Sequence, residues 1–100
     1  MKHYSVLEVT PRDDSWVQAY LPIANQLLRK HGGRYLARTS QHENIEGEPS
    51  DVALRIIIEW PSREAALAFE HDEEYRPHLE ARLANSESRH VLIAGQDDLA

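Results

Sequence analysis

Two oppositely charged residues, Arg38 and Glu59, are the first candidates for chemistry, and each lies in a segment of strand character. A guanidinium can orient a carboxylate or an enolate, and a carboxylate can accept a proton from such a ligand. His31 joins them as a candidate catalytic residue, because imidazole exchanges protons near neutral pH. Structural roles are the favoured alternative: the charged pair can fix the register of an interface, and a histidine at a helix end can compensate the helix dipole.

Tyr75, Arg82 and Trp60 form a second candidate set, for ligand binding. Tyr75 and Arg82 lie seven residues apart, so they share a helix face only if helical structure runs unbroken past Pro77. They could then close over a ligand held between helices and sheet. Alternatively, Tyr75 packs its ring and Arg82 pairs with a carboxylate. Three aromatic residues at spacings typical of a core could also line a pocket: Trp16, Tyr20 and Trp60.

His71, Glu74 and His78 are the only residues that resemble a metal-binding cluster, at helical spacings of three and four. Their order differs from the His-Glu-x-x-His pattern of zinc proteases, and Pro77 lies within the cluster. A solvated, charged helix end is the favoured interpretation, so the sequence predicts no metal site.

The sequence also predicts no cofactor. Gly32 and Gly33 follow a predicted helix instead of preceding one, which places their N–H groups at the wrong end for a phosphate. The chain has no cysteine and no Ser-His-Asp signature, which excludes thiolate and serine nucleophiles of the familiar kinds. Haem binding through His31 stays open as an alternative.

Length and charge restrict the classes of partner. One hundred residues suit a single domain spanning residues 1–100. The net charge of −6 has the wrong sign for a protein that binds nucleic acid or an anionic membrane. No apolar run approaches the roughly 20 residues that span a bilayer, and the first residues predict a strand instead of a signal segment. We therefore expect a soluble cytoplasmic protein.

The pattern of apolar residues predicts four strands, over residues 3–10, 34–39, 53–60 and 89–94. A first helix follows Asp13, Asp14 and Ser15 and ends near residue 31, with Gly32 at its C′ position. Pro22 predicts a kink or a break in this helix near Tyr20. Ser62 begins a second helix, and Pro77 separates it from a short helix over residues 73–84.

The resulting order βαββαβ predicts an α+β ferredoxin-like fold, a four-stranded antiparallel sheet with helices on one face. Alternation places one apolar side of the third strand under the helices: Leu54, Ile56, Ile58 and Trp60. The opposite face mixes charged and apolar residues: Tyr4, Val6, Glu8, Arg34, Leu36, Arg38, Ala53, Arg55, Ile57 and Glu59. A second copy of the chain covering this face would form a barrel in which arginines meet Glu8 and Glu59.

The chain resembles the bacterial family known as domain of unknown function 1330, within the dimeric α/β-barrel superfamily. It differs from the family pattern at Trp60 and Asp72, where a phenylalanine and a serine are expected. The resemblance covers nearly the whole chain and rests on five segments: His31-Gly32-Gly33-Arg34-Tyr35-Leu36 with Arg38, Glu46-Gly47, Ile58-Glu59-Trp60-Pro61-Ser62 with Ala65 and Ala66, Asp72-Glu73-Glu74-Tyr75, and Arg82 with the strand leading to Gly95.

The resemblance implies a homodimer whose two sheets face each other. Superfamily relatives include cofactor-independent monooxygenases of antibiotic biosynthesis, haem-degrading and haem-binding proteins, and muconolactone-isomerase-like enzymes, so it also implies small, often aromatic ligands. Our leading hypothesis is a protein that binds a small molecule and has a cofactor-independent monooxygenase- or isomerase-like activity. The alternative hypothesis is a non-catalytic dimeric module with a structural or regulatory role.

Overall fold

The computed structural model describes residues 1–100 and contains four strands and three helices. The elements follow one another as β1 (His3–Pro11), α1 (Val17–Lys30), β2 (Arg34–Thr39), β3 (Leu54–Trp60), α2 (Arg63–Glu70), α3 (Arg76–Ala84) and β4 (Ser86–Ala94). The strands form one antiparallel sheet in the order β2-β3-β1-β4. This confirms the predicted ferredoxin-like fold, with β4 beginning three residues earlier than predicted. No helix has the length and apolar character that crossing a bilayer requires.

The core lies between the sheet and the helices. It is built from alternate residues of the two central strands and from one side of each of α1 and α2, as the predicted amphipathic pattern requires. Gly33 permits the closest approach in this region, because a Cβ atom there would lie 2.7 Å from the Trp60 ring. Ten buried residues make up the core: Leu7, Val9, Ala24, Leu27, Leu28, Ile58, Trp60, Ala66, Phe69 and Tyr75.

Helix α1 is continuous from Val17 to Lys30, so of the kink or break predicted near Tyr20 the break does not occur. Proline at position 22 removes one backbone donor, which leaves the carbonyl of Gln18 without its helical partner. Gln18 and Pro22 are both exposed, so water can satisfy this carbonyl. Gly32 ends the helix with φ +83°, as predicted.

α3 is a helix separate from α2, as predicted, and Pro77 stands in the first turn of α3, where its missing N–H costs nothing. Ser62 caps α2 by accepting a hydrogen bond from the N–H of Ala65 at 3.1 Å. Tyr75 is the N-cap of α3 and already has helical backbone angles. Tyr75 and Arg82 therefore lie two turns apart on one helical stretch, because Pro77 begins α3 instead of interrupting it.

A β-bulge in β2 changes which residues share a face. Arg34 pairs with Glu59, and Tyr35 with Ile58, but the register shifts so that Ala37 pairs with Ile57 and Arg38 with Ile56. Because Ile56 faces the helices, Arg38 also lies on the helix side of the sheet. The prediction that strict alternation places Arg38 beside Arg34 on the opposite face is therefore wrong.

We call the sheet surface turned away from the helices the open face. Its middle row is apolar across all four strands, formed by Val91, Val6, Ile57 and Ala37. Val6, Ile57 and Val91 are 39%, 40% and 57% exposed. The rows on each side carry pairs of opposite charge: Arg55 and Glu8, and Arg34 and Glu59, each 3.4 Å apart. Glu8 and Glu59, which were predicted to contact arginines of a second copy, therefore contact arginines of the same chain.

Candidate functional site

A cavity of about 330 Å³ lies between the helix side of the sheet and the three helices. Fourteen of its twenty lining residues are hydrophobic, and it opens to solvent. Its volume falls within the range of about 300 to 1,000 Å³ that is typical of small-molecule sites. Of the six residues predicted for the site, the cavity brings four together: Arg38, Trp60, Tyr75 and Arg82.

Aromatic rings form a connected wall of this cavity. Phe69 lies 4.3 Å from Tyr75 and 5.3 Å from Trp60 between ring centroids, and Trp16 meets Tyr20 edge-on at 5.2 Å. The hydroxyl groups of Tyr20 and Tyr75 share a hydrogen bond of 2.5 Å. Burial, together with the neighbouring Tyr20 hydroxyl, raises the pKa of Tyr75 far above its ordinary value. Tyr75 is therefore a neutral hydrogen-bonding group and not a phenolate.

Arg82 is a buried cation without an ionic partner. It is 3% exposed, lines the cavity, and forms no salt bridge with a carboxylate. Its Nε and Nη1 atoms are buried and have no hydrogen-bond partner. The predicted structural alternative, an ion pair between Arg82 and a carboxylate, does not occur. A buried guanidinium normally has paired donors, so this one stands out among the charged groups of the chain.

A series of polar side-chain contacts links Trp60, Ser5, His90 and Glu70 on the sheet side of the cavity. The indole N–H of Trp60 donates to Ser5 Oγ at 2.8 Å, and Ser5 Oγ lies 2.8 Å from His90 Nε2. The tautomer of His90 decides whether Ser5 or His90 donates in this contact. His90 Nδ1 in turn lies 3.8 Å from a carboxylate oxygen of Glu70.

His90 is neutral near pH 7. Burial lowers the pKa of His90, and the neighbouring Glu70 carboxylate opposes this effect only in part. The His90 side chain is 26% exposed and that of Glu70 is 27% exposed. An imidazole and a carboxylate on one cavity wall can both accept a proton from a bound molecule.

Arg38 lines the cavity from β2 and is fixed by two contacts. Its guanidinium stacks on the Tyr35 ring, 3.8 Å from the centroid, and donates to Asn25 Oδ1 at 2.9 Å. Burial raises the pKa of Tyr35, although Arg38 acts in the opposite direction. Arg38 is exposed, so it borders the cavity on its solvent side.

His31 and Glu59 lie outside the cavity wall. His31 Nε2 contacts Asp72 at 2.7 Å, and this hydrogen bond lowers the pKa of the Asp72 carboxyl. The contact joins the end of α1 to the segment between α2 and α3. Glu59 lies on the open face, 3.4 Å from both Arg34 and Lys2. The predicted pair of Arg38 and Glu59 does not form, because the bulge places Arg38 on the other side of the sheet.

Ser5, Glu70 and His90 were not among the site residues predicted from the sequence. Ser5 could have been found from the sequence, because it lies on the same side of the first strand as the apolar residues Leu7 and Val9. A polar residue in such a position needs a buried hydrogen-bond partner. His90 carries no such signal, because its place opposite Leu7 depends on the register of β4 against β1. The chain contains no group of three or more side chains placed to bind a metal ion.

Comparison with solved structures supports the fold. The chain is 18% identical to a protein of unknown function from Rhodopseudomonas palustris, with a TM-score of 0.79 over 96% of this chain and 83% of that one. It is 18% identical to SnoaB, a cofactor-independent oxygenase from Streptomyces nogalater, with a TM-score of 0.67 over 98% and 96% of the two chains. An antibiotic biosynthesis monooxygenase is 17% identical, with a TM-score of 0.52 over 97% and 100%.

Sequence comparison identifies the family. No curated protein matches the chain. The profile of one family matches residues 2–96, which is nearly the whole sequence. The resemblance inferred from the sequence motifs is thereby confirmed, and the chain belongs to the Domain of unknown function (DUF1330) family.

Proposed function

We propose that this protein binds a small, largely aromatic molecule in the cavity and acts on it by cofactor-independent monooxygenase- or isomerase-like chemistry. The observation that carries the proposal is the cavity itself, a space of about 330 Å³ where a well-packed core would be expected. Its aromatic wall suits a planar ligand, and its few polar groups suit orientation of that ligand. The cytoplasmic location expected from the sequence is part of this proposal.

The ligand-binding residues in this proposal are Trp60, Tyr75 and Arg82, with Arg38 on the solvent side. Trp60 and Tyr75 are 1% exposed each and present rings that are fixed by packing. Such rigid aromatic walls lose little conformational entropy when a ligand binds. His31 and Glu59 are not included, because neither lines the cavity.

The proton acceptor in this proposal is the pair formed by Glu70 and His90. A proton leaving an acidic C–H or O–H of the ligand passes to the Glu70 carboxylate, and the electron pair stays on the ligand as an enolate or phenolate. Glu70 lines the cavity, and His90 Nδ1 lies 3.8 Å from its carboxylate. The chemistry needs no metal or organic cofactor, and it agrees with the cofactor-independent oxygenase activity of SnoaB, which has the same fold.

The proposal includes a homodimer formed through the open face. The middle row of this face exposes three apolar side chains, and each flanking row carries an arginine and a glutamate, so the face offers both signs of charge to a second copy of itself. The same observation favours the second candidate function, a non-catalytic dimeric module. The two functions differ in their use of the cavity, which the second leaves without a ligand.

A binding experiment separates them. Leu21→Trp enlarges a cavity-lining side chain that is 38% exposed, so the variant should fold and obstruct the cavity. Leu83→Trp is the matched control, since Leu83 is 52% exposed and lies outside the cavity. We expect a panel of aromatic and quinone-like compounds to raise the unfolding midpoint of the wild type and of Leu83→Trp, but not of Leu21→Trp. No shift with any compound, or equal shifts in all three proteins, contradicts the proposal.

A further inference from the structure

The cavity wall includes buried hydrogen-bond donors that have no partner in the chain. Three buried side-chain N–H groups in the chain have no partner: Nε and Nη1 of Arg82 and Nε1 of Trp16. Both residues line the cavity. Buried donors are rarely left unpaired in folded proteins, so a partner from outside the chain is the natural explanation.

The two tyrosines add a further donor. Tyr20 and Tyr75 have one hydroxyl hydrogen each, and the hydrogen bond between their oxygens uses one of them. The other hydrogen has no acceptor in the chain. Both rings lie near Arg82, whose guanidinium carbon is 5.9 Å from the centre of the Tyr20 ring. The Trp16 ring lies 5.2 Å from the Tyr20 ring between centroids, so Tyr20 lies next to both residues that carry unpaired N–H groups.

The acceptors of the wall do not satisfy these donors. Glu70 is the only carboxylate that lines the cavity, and its partner is His90. No carboxylate lies within salt-bridge distance of Arg82. Ser5 Oγ, which accepts the indole N–H of Trp60, is not among the residues that line the cavity.

We propose that Arg82, the Tyr20–Tyr75 pair and Trp16 form a binding site for an anionic oxygen, and that the ligand is an aromatic molecule carrying one carboxylate or phenolate. This inference rests on the proposed function and specifies the class of its ligand. A negatively charged oxygen pairs with the guanidinium in a site of low dielectric, where a charge-assisted hydrogen bond is stronger than in water. The aromatic wall receives the rest of the molecule.

Two isosteric probes test the charge. 2-Naphthoate and the neutral 2-naphthamide have the same ring system and similar shape, and fluorescence of Trp16 and Trp60 reports occupancy because both line the cavity. We expect the naphthoate to bind about 10- to 100-fold more tightly, the value of a charge-assisted hydrogen bond. Equal affinities overturn this inference and leave the proposed function standing. Failure of both probes to bind contradicts the proposed function and the inference together.

Arg82→Gln tests the residue, with Arg76→Gln as the control. Arg76 lies on the same helix, but its side chain is 67% exposed and lies outside the cavity. We expect Arg82→Gln to remove the preference for naphthoate, Tyr75→Phe to reduce it, and Arg76→Gln to preserve it. A preference that survives Arg82→Gln overturns the inference. If Arg82→Gln does not fold, Tyr75→Phe and the wild-type comparison still decide the question.

4-Nitrophenol distinguishes a phenolate from a carboxylate, because its absorbance reports its own ionisation. If the site takes phenolates, the pKa of the bound phenol falls in the wild type and not in Arg82→Gln. If the site takes carboxylates only, 2-naphthoate binds and the nitrophenol titration is unchanged by the protein. Both results support an anionic oxygen at Arg82, whereas a rise in the pKa of the bound phenol contradicts it.

Discussion

The two faces of the sheet use charge in opposite ways. On the open face, Arg34 and Arg55 are exposed or half-buried and each has a glutamate 3.4 Å away. On the helix side, Arg82 is 3% exposed and has no carboxylate partner. Paired charges near solvent cost little and fix geometry, whereas a buried unpaired charge costs stability and persists only if something else requires it. This contrast supports our proposal that the chain assembles through the open face and binds a ligand in the cavity.

Loss of the Trp60 ring should have the largest effect on stability. Trp60 is 1% exposed and packs against Phe69, so Trp60→Ala removes a large part of the core. We expect the free energy of unfolding to fall by about 3 to 5 kcal/mol, measured by urea titration. Val91→Ala on the open face is the control, and it should lower the free energy of unfolding of the unassembled chain by much less. Equal effects would mean that the two faces are not distinct.

A charge in the middle row of the open face should prevent assembly. Ile57→Lys places an ammonium group where the proposed dimer has an apolar contact, and we expect the dissociation constant to rise roughly 100-fold or more. Sedimentation at several protein concentrations measures this. Ile45→Lys is the control, because Ile45 is 80% exposed in the segment between β2 and β3. A wild type that sediments as a monomer at high concentration contradicts the dimer.

Removal of the buried charge of Arg82 should stabilise the ligand-free protein. Arg82→Met replaces the guanidinium by an apolar chain of similar length, and we expect a gain of about 1 to 4 kcal/mol in the free energy of unfolding. Arg76→Met, at an exposed position of the same helix, should stay within about 0.5 kcal/mol of the wild type. A marked loss of stability in Arg82→Met would show that Arg82 supports the fold and is not a ligand-binding group.

Sequence periodicity was sufficient to predict the order of strands and helices, because each element has its own apolar pattern and its own boundary residues. The bounds of β2, the Ser62 cap and the positive φ of Gly32 are local properties and were all predicted. The helix is not broken at Pro22, because the cost of proline depends on whether water reaches the carbonyl that it leaves unpaired. Exposure of that carbonyl is a tertiary property.

The site was harder to predict than the fold, because a single bulge decides which face Arg38 occupies. Side chains alternate with a period of two, so one extra residue in β2 moves every later side chain to the other face. No residue type between Tyr35 and Ala37 indicates a bulge. Tyr75 and Arg82 were identified from helical spacing, whereas the contact of His90 with Ser5 joins residues 85 positions apart and follows only from strand pairing.

The pH dependence of stability offers a finer test of the cavity wall. Burial lowers the pKa of His90 in the folded chain, so between that value and about 6.5 the unfolded chain binds more protons. Stability should therefore decrease as pH falls below about 6.5, by at most about 1.4 kcal/mol per pH unit for one group. His90→Gln should remove this part of the slope, and His42→Gln, at an exposed position, should not. Identical slopes in both variants would contradict a lowered pKa of the partly buried His90.

The smallest effect is expected for the ion pair of the open face, and its size depends on assembly. Arg34→Ala breaks a contact with Glu59 in which the arginine side chain is 70% exposed, so the unassembled chain should lose at most about 1 kcal/mol. If a second copy covers the open face, the same pair loses its water, and removing one partner leaves a carboxylate at the interface. The cost of Arg34→Ala should then increase with protein concentration. A cost that is small and independent of concentration, in a chain that does dimerise, would place the interface elsewhere than on this row.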